Sequence, residues 1–260
     1  VPLYRLCQIY GRDGVEMSRS TITDMVGNCG LLLTPLADAL GRYVLKADKV
    51  HGDDTPIRAL GGRGKKAHTA RLWVYVRDDR PSGDKAPPAV WFQYSGDRKG
   101  EHPARHLQNY SGILQADAYS GYNAIYKDAR VLEAGCWSHA RRKLWDIHVK
   151  QQRLPGTLAH QGLVRIGELF KVEAEVNGRS ALRRRRMRQT RSAPVLKELK
   201  SWMRETLAQV SAKSPMALAI GYSLSNWTAL TNFVGDGLID AHNNTAERAL
   251  RGVAIGRKNY

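Results

Sequence analysis

The sequence predicts an α/β fold, in which a mixed five-stranded sheet is flanked by helices, preceded by a helical segment and followed by an all-helical one. Three observations predict this fold. Apolar residues recur every three to four positions over residues 1–47, which is the period of a helix. Over residues 48–138 the pattern changes to short runs rich in Val, Trp, Tyr and Phe, which favour strands. From about residue 139 the strand pattern stops and helical spacing returns.

Residues 1–47 are predicted to form two helices. Either Ser18 or Ser20 is expected to cap the second helix, because a serine hydroxyl can accept a hydrogen bond from a free backbone amide, and Asp24 falls in its first turns. A short helix, a polar turn and a longer helix are compatible with a helix-turn-helix-like segment. They are equally compatible with a plain helical hairpin, and spacing alone does not separate the two interpretations.

Residues 48–138 are predicted to form the sheet. Three strands are expected in "KVHGDD", "RLWVYVRDD" and "AVWFQYSGD", joined by the loops "GGRGKK" and "RPSGDKAPP". A helix in "KGEHPARHLQNY", a strand in "GILQADAYSG", a helix in "YNAIYKD" and a strand in "RVLEAGCWS" follow. The resulting order, β-β-β-α-β-α-β, is that of a mixed α/β sheet.

Residues 139–236 are predicted to be a basic helical insertion, and residues 237–260 are predicted to hold a final helix. The insertion contains the run "LRRRRMRQTR". Its arginines are interpreted either as a solvated helix face or as a surface that contacts phosphates, and the net charge of the chain favours the second interpretation. The DNA-binding residues predicted from this run are Arg183, Arg184, Arg185, Arg186 and Arg188.

The chain of 260 residues carries 41 Lys and Arg against 24 Asp and Glu, a formal net charge of +17. Such a charge opposes compaction and indicates a polyanionic partner, of which nucleic acid is the commonest. We find no apolar run long enough to span a bilayer, which argues against a membrane protein. The three cysteines include no CxxC pair. We therefore expect neither a disulfide framework nor a four-cysteine zinc site, and a reducing cytoplasm fits.

Three acidic residues stand at the ends of predicted elements. Asp53 ends the first strand, Asp117 ends the fourth, and Glu247 lies in the first turn of the last helix. If the first and fourth strands are neighbours, the three carboxylates can converge, and their mutual repulsion then requires cations. Oxygen ligands of this kind suit Mg²⁺ or Mn²⁺. Two such ions about 4 Å apart form the clamp used for in-line phosphoryl transfer.

Each of these acids also has a purely structural interpretation. Asp53 can start a turn before Pro56, and Asp117 can bond a loop amide. Glu247 can complete a capping box with Asn244, three residues earlier. Taken one at a time, these interpretations are no weaker than metal binding. What favours a metal site is the order of Asp, Asp and Glu on strand, strand and helix.

Several longer strings, in order along the chain, resemble the DDE domain of the insertion sequence 66 family of transposases. They are "HGDDTP", "RLWVYVRDDRP", "SGDRKGEHPARHL", "LQADAYSGYNAIY", "CWSHARRKLWD" and "NNTAERALRGVAIGRKN". The string "LYRLCQIYGRDGVEMSRSTITDMV" is similar to the helical region that precedes that domain, so the resemblance covers nearly the whole chain. It implies an RNase H-like fold with a helical insertion before the catalytic glutamate.

The resemblance also implies metal-dependent DNA cleavage and strand transfer, with two Mg²⁺ or Mn²⁺ ions as cofactors. It places the catalytic and metal-binding residues at Asp53, Asp117 and Glu247. The implied partners are the double-stranded DNA of transposon ends and target, with a homo-oligomer in the complete protein and a nucleoid-associated place in the bacterial cytoplasm. Supporting residues are predicted at Asp54, His139, Arg142, Asn243, Asn244 and Arg248, and further DNA contacts at Arg141, Lys143 and Arg251.

The string "CWSHARRK" has two interpretations. Cys136 and His139 are spaced as metal ligands can be, but two further ligands are missing, so a zinc site is disfavoured. Instead, Cys136 and Trp137 are expected to end a buried strand, and the residues after them to open the next helix. Either His139 or Arg142 is then expected to contact the phosphate that is cleaved.

The sequence departs from the family in three ways. Complete members are longer. They carry a cysteine-rich zinc segment and a coiled coil upstream and continue past the position of Tyr260, so this sequence resembles a chain truncated at both ends. His242 stands where the family usually has an acid. Two rival functions therefore stay open, a DNA-binding remnant without catalysis and an RNase H-like nuclease that cuts DNA without joining it.

Overall fold

The structure, a computed structural model, describes residues 2–60, 66–127 and 129–256. The strands are β1 (Lys49–Ala59), β2 (His68–Arg77), β3 (Ala89–Ser95), β4 (Gly112–Gln115) and β5 (Val131–Ala134). The helices are α1 (Leu3–Arg12), α2 (Arg19–Val44), α3 (Glu101–His106), α4 (Asn123–Tyr126), α5 (Trp137–Lys150), α6 (Leu158–Val176), α7 (Ala181–Gln209), α8 (Pro215–Ser225), α9 (Trp227–Gly235) and α10 (Asn244–Gly256). The predicted strands and helices are confirmed, although "SPMALAIGYSLSNWTALTNFV" forms two helices rather than one. Most of the predicted loop "GGRGKK" and the last four residues of the final segment lie outside the described residues.

The five strands form one sheet in the order β3-β2-β1-β4-β5. β1, β2 and β3 pair antiparallel as a meander, whereas β4 pairs parallel with both β1 and β5. The predicted fold class is therefore confirmed, a mixed five-stranded sheet with flanking helices in the RNase H-like arrangement. The first and fourth strands are neighbours, as the convergence of the three acids requires. The division into four domains stays a prediction.

β1 is longer than the sequence predicted. The strand does not stop before Pro56 but continues to Ala59, paired with β2 from His51 onward. Its parallel pairing with β4 ends much earlier, where His51 stands beside Gln115. Beyond that point none of the described strands pairs with this side of β1, and a proline is tolerated at the edge of a sheet. Asp53 therefore lies within β1, just past the end of its parallel neighbour.

Neighbouring residues of β1 point to opposite faces of the sheet, because side chains alternate along a strand. Asp53 stands opposite Val74 of β2, and Val74 packs in one apolar cluster with Ala246 of α10. Asp54 stands opposite Trp73, which is buried in a different cluster on the other face. The two adjacent acids of "GDD" therefore serve different sides of the sheet, and Asp53 is the one that faces α10.

The helices from α5 to α9 build a second hydrophobic core beside the sheet. Trp137 is fully buried there and donates its indole N–H to the backbone carbonyl of Leu230 in α9 at 2.7 Å. Other buried members are Leu144, Ile166, Leu199, Met203, Ile220 and Phe233. Trp137 is the first residue of α5, so the predicted boundary is corrected: "WS" opens the helix rather than ending the strand, and β5 ends at Ala134.

Arg188, in the basic run on α7, is buried, which corrects its predicted role in DNA binding. Its guanidinium bonds the two carboxylate oxygens of Glu173 in α6 at 2.6 and 2.7 Å. It also donates to the backbone carbonyls of Phe233 and Ile239 at 3.0 and 2.8 Å. These contacts occupy the guanidinium inside the protein, so no phosphate can reach it.

Arg184, one turn before Arg188 on the same face of α7, is corrected in the same way. It is 1% exposed and forms an ion pair with Asp240. Residues four apart share one face of a helix, so Arg184 and Arg188 both lie on the face of α7 that packs against the core. The three remaining predicted contacts in the run are exposed and stay predicted DNA contacts; they are Arg183, Arg185 and Arg186.

The N-terminal helices attach to the sheet beside β3. Ser18 caps α2 by accepting a hydrogen bond from the Thr21 amide at 3.0 Å, which confirms one of the two predicted caps. Near the other end of α2, Gly41 lies so close to the indole of Trp91 that a Cβ would meet the ring at 2.7 Å. The middle of α2 exposes apolar side chains, among them Leu31, Leu32, Leu33 and Leu36. Among the described residues, even so, no helix has the length and apolarity needed to cross a membrane.

Candidate active site

One face of β1 meets the segment that leads into α10. The alternate residues that share this face are Lys49, His51 and Asp53. Lys49 contacts Asp240, and His51 contacts both Asp240 and Asn243. Asp53, the third in the series, lies within electrostatic reach of Glu247. The segment from Asp240 to Glu247 thus runs alongside β1. It brings Glu247 near Asp53, and both are predicted catalytic acids.

Asp240 is the centre of a buried ion cluster. Its Oδ2 accepts a hydrogen bond from Nζ of Lys49 at 2.7 Å and lies 3.3 Å from Nε2 of His51. Burial alone would raise the pKa of Asp240, but the charges of Lys49 and Arg184 and the contact with His51 hold it well below its usual range. Asp240 is therefore ionised, and it ties β1 to α7.

Asn243 is fully buried and joins three elements at the start of α10. Its side-chain amide donates to the backbone carbonyl of Gly52 in β1 at 2.8 Å. Its Oδ1 lies 2.9 Å from Nδ1 of His51, and its backbone amide bonds Sγ of Cys136 at 3.1 Å. Its backbone carbonyl accepts from the amide of Glu247. Asn243 therefore fixes the first turn of α10, and with it Glu247, against β1.

Asp53 is largely buried and stands among like charges. Burial raises its pKa to about 7, and the carboxylates of Asp117, Asp54 and Glu247 add to the rise. The backbone amide of Asp54 opposes it by donating to Oδ1 of Asp53 at 2.8 Å. Since Asp117 and Glu247 both act on Asp53, the structure brings the three acids of the predicted site into one electrostatic neighbourhood.

Asp117 lies just beyond the carboxyl end of β4. Its Oδ1 accepts a hydrogen bond from the Tyr119 amide at 3.3 Å, so it also bonds a loop amide, as its structural interpretation expected. Burial raises the pKa of Asp117, whereas the charges of His139 and Arg98 lower it. Asp117 lines a groove of about 450 Å³, here called the Asp117 groove. Its other main lining residues are Arg98, Tyr119, His139, Arg142, Lys143 and Tyr222.

Glu247 faces His139 of α5, with 3.8 Å between Oε1 and Nδ1. Together with Cys136 they place three donor atoms within 4.8 Å of one another, one more candidate ligand than "CWSH" offers alone. A structural zinc site is still disfavoured, because three candidate ligands are one short of the usual four. The thiol serves instead as the acceptor for the Asn243 amide.

Asp54 lies on the other side of the sheet from Asp53. Its side chain is 2% exposed and bonds Arg71 at 3.0 Å and Arg98 at 2.8 Å. Sequence reasoning took Asp54 as a supporting acid and missed Arg98 altogether. A single arginine in the loop "SGDRKGEHP" belongs to no periodic pattern, and its position beside Asp117 follows from the fold alone.

A second groove, of about 420 Å³, runs between α5 and α10, and is here called the α5–α10 groove. Glu247 and four arginines line it, together with Ser138, Trp145 and Asn244; the arginines are Arg141, Arg142, Arg248 and Arg251. Arg142 also lines the Asp117 groove, so the two grooves adjoin at this residue. The structure therefore places the predicted basic residues of α5 and α10 around the acids. The exposed arginines of α7 line neither groove.

The three acids offer the donor type of a hard divalent cation, but among the described residues their oxygens do not all lie within 4.8 Å of one another. Asp53 and Asp117 offer carboxylate oxygens from the sheet, and Glu247 offers them from α10, which is the donor type that Mg²⁺ and Mn²⁺ take. The charge repulsion that helps to raise the pKa of Asp53 is what a bound cation would relieve.

Comparison with known proteins gives one family and several relatives. A family model described as "Transposase IS66 family" matches residues 1–260. The chain is similar to uncharacterized protein y4hP of Sinorhizobium fredii (strain NBRC 101917 / NGR234), with 38% identity over 274 residues, 100% of this chain and 49% of that protein. It is also similar to uncharacterized proteins y4qI (38% over 266 residues, 49% of that protein) and y4jD (34% over 265 residues, 51%) of the same organism, each match covering 100% of this chain. The chain spans about half the length of the curated relatives it matches.

Proposed function

Since the chain belongs to the IS66 transposase family, we propose that it carries the catalytic centre that cleaves DNA at transposon ends and transfers the freed 3′ end to target DNA. The observation that carries the proposal is that acids from β1, the end of β4 and α10 lie in one electrostatic neighbourhood. Each of Asp117 and Glu247 acts on Asp53, and a basic groove opens beside them. This arrangement suits transfer of a phosphoryl group held by cations.

Asp53, Asp117 and Glu247 would hold two Mg²⁺ or Mn²⁺ ions. When bound, these ions would supply the positive charge that stabilises the attacking and leaving oxygens of an in-line displacement at a phosphodiester. His139 lines the Asp117 groove next to Glu247 and would donate a hydrogen bond to the phosphate that is cleaved, with Arg142 beside it. The reaction needs no covalent protein intermediate, because a hydroxyl oxygen attacks the phosphorus directly.

Double-stranded DNA would lie along the Asp117 groove and the α5–α10 groove. The acids alone would repel the DNA backbone, so the surrounding cations are needed to bind it. The residues proposed for this role are Arg141, Arg142, Lys143, Arg248 and Arg251. The complete protein would act at the bacterial nucleoid as a homo-oligomer, since both ends of a mobile element are processed together.

The first test is Mn²⁺ binding, followed by paramagnetic relaxation of water protons in the absence of DNA. We expect the wild-type chain to bind Mn²⁺ and the Asp53→Asn, Asp117→Asn double variant to lose this binding with its fold retained. The matched control is Asp146→Asn, which removes a carboxylate that lines the Asp117 groove outside the three acids. Equal binding by the wild-type chain and the double variant would overturn the proposed metal site.

In the second test the protein is incubated with DNA that carries the ends of the mobile element in the presence of Mg²⁺. The products are then analysed for joined strands. Joined products would support the transposase, and cut but unjoined DNA would support a nuclease. DNA affinity that falls with salt but brings no cleavage, with or without Mg²⁺, would support a DNA-binding remnant.

A further inference from the structure

Arg98 lies between β3 and α3, and its guanidinium is fixed by two neighbouring side chains. Nε and Nη2 bond Oδ1 of Asp54 at 3.0 and 2.8 Å. The guanidinium carbon lies 4.1 Å from the centre of the Tyr119 ring, and the Tyr119 hydroxyl bonds the backbone carbonyl of Arg98. A guanidinium that is already immobilised loses little conformational entropy when it binds one more partner.

Asp54 leaves part of this positive charge uncompensated. The same carboxylate pairs with Arg71, so two cations share one anion. The bonds to Asp54 occupy Nε and Nη2 of Arg98, and no hydrogen bond from its Nη1 is found in the described part of the chain. Because the side chain is 39% exposed, the edge that carries Nη1 is available to a further acceptor.

The position of Arg98 connects it with the reaction. Arg98 and Asp117 line the same groove, and the charge of Arg98 is one of those that lower the pKa of Asp117. Arg142 and Lys143 line that groove from α5. A DNA strand that passes Asp117 in this groove would therefore meet cations from two separate elements. Neutralising Asp54 does not require Arg98, because the ion pair with Arg71 already does so.

We propose that Arg98 is a preformed binding site for a DNA phosphate adjacent to the one that is cleaved, and that Asp54 and Tyr119 hold it in place. The free edge of a guanidinium offers two N–H groups in a plane, which suits two oxygens of one phosphate. Asp54 is thereby a positioning residue that acts through Arg98. The inference rests on the proposed function, from which it takes its ligand.

The test compares the binding of a short DNA duplex of arbitrary sequence at several KCl concentrations, without divalent ions. It is done in the wild-type chain and in the Asp53→Asn, Asp117→Asn background, where no metal can contribute. We expect Arg98→Gln to weaken binding about 10-fold or more, as for a lost charge-assisted hydrogen bond. We also expect the slope of log affinity against log salt to become shallower by about 0.9, one phosphate contact.

Arg71→Gln is the matched control, because Arg71 shares Asp54 but does not line the groove. It should leave the salt slope unchanged. Equal slopes and affinities for Arg98→Gln and the wild-type chain, with the fold retained, would overturn the proposal. So would a change of slope as large in Arg71→Gln.

Arg98→Lys keeps the charge and tests the geometry, and it also serves if Arg98→Gln fails to fold. We expect a weaker affinity at an unchanged slope, since a lysine cannot form the planar two-bond contact. An affinity equal to that of the wild-type chain would contradict a shaped phosphate site. The Mn²⁺ experiment of the proposed function uses no DNA and this one uses no metal, so either proposal can fail while the other stands.

Discussion

The side-chain amide of Asn243 donates a hydrogen bond to the backbone carbonyl of Gly52 at 2.8 Å, and both residues are buried. Gly52 precedes Asp53 in β1, and Asn243 precedes the helix that carries Glu247. One side chain therefore sets the spacing between an acid on the sheet and an acid on a helix. The acids themselves cannot hold this spacing, because their like charges push them apart.

Asn243→Ala is expected to loosen the site and to lower stability. The change leaves the buried Gly52 carbonyl and His51 without their partner, and each such loss costs about 1–3 kcal/mol. Urea unfolding measures the stability, and Mn²⁺ relaxation measures the site. Asn244→Ala, at the half-buried next position, is the comparison, and we expect it to cost less than Asn243→Ala. Unchanged Mn²⁺ binding by Asn243→Ala would mean that α10 keeps its position without this bond.

Asp53 is expected to make the metal-free protein less stable as pH rises from about 4 to about 7, against the opposite contributions of His51 and His106, whose pKa values burial lowers. The pKa of Asp53 is about 7 in the folded protein, against a usual value of 3.8. At this group the folded state binds more protons than the unfolded state in this window, so its contribution to the free energy of unfolding falls with pH and levels off above pH 7. Asp117, whose pKa is also raised by burial, contributes with the same sign.

Urea midpoints at several pH values measure this dependence. Asp53→Asn should remove the contribution of Asp53 to the pH dependence of stability. The metal-free variant should then be more stable than the metal-free wild type at pH 8. Saturating Mg²⁺ should also reduce this contribution to the pH dependence, because a bound cation favours the ionised carboxylates. A difference in midpoint between Asp53→Asn and the wild type that stays constant from pH 4 to pH 7 would contradict the raised pKa of Asp53.

Arg184→Met is expected to destabilise the protein by about 1–3 kcal/mol, because Asp240 loses one charged partner while Lys49 still neutralises it. Arg185→Met, at the neighbouring exposed position, should change the stability by less than about 0.5 kcal/mol. Chemical denaturation of the two variants side by side makes the comparison. Similar small effects would show that Arg184 is not an internal residue in solution.

Asp54→Asn is expected to keep measurable Mn²⁺ binding, whereas Asp53→Asn is expected to abolish it. Asp54 lies on the other side of the sheet and its carboxylate is taken by two arginines. The same relaxation measurement applied to both variants separates adjacent acids that a sequence motif treats alike. Loss of binding in Asp54→Asn alone would reverse the assignment of the two residues.

Local pattern was enough to predict the elements of this fold. The change from helical spacing to short Val-rich and Trp-rich runs marks the sheet, and Ser18 does cap α2. The placement of Asp53 and Asp117 also follows from sequence, because neighbouring parallel strands end at a common edge. Alternation along β1 would even have separated Asp53 from Asp54, had the strand been predicted to continue through Pro56.

Other features depend on partners that are distant in sequence. A run of arginines looks like a solvated surface. Nothing near Arg184 or Arg188 in the sequence indicates that they form ion pairs with Asp240 and Glu173. Arg98 is likewise defined by Asp54 and Tyr119, which come from other strands and loops. Long-range electrostatic pairing carries no period, so residue spacing cannot reveal it.

The bond between Asn243 and Gly52 spans 191 residues of sequence, and this separation has a consequence for the order of events during synthesis. A ribosome that adds roughly 5–20 residues per second takes on the order of ten to forty seconds to cover it. All five strands leave the ribosome well before Asn243 does, so Asp53 and Asp117 exist for much of that time without Glu247. Whatever chemistry the three acids perform can therefore begin only after α10 has been synthesised and has packed against β1.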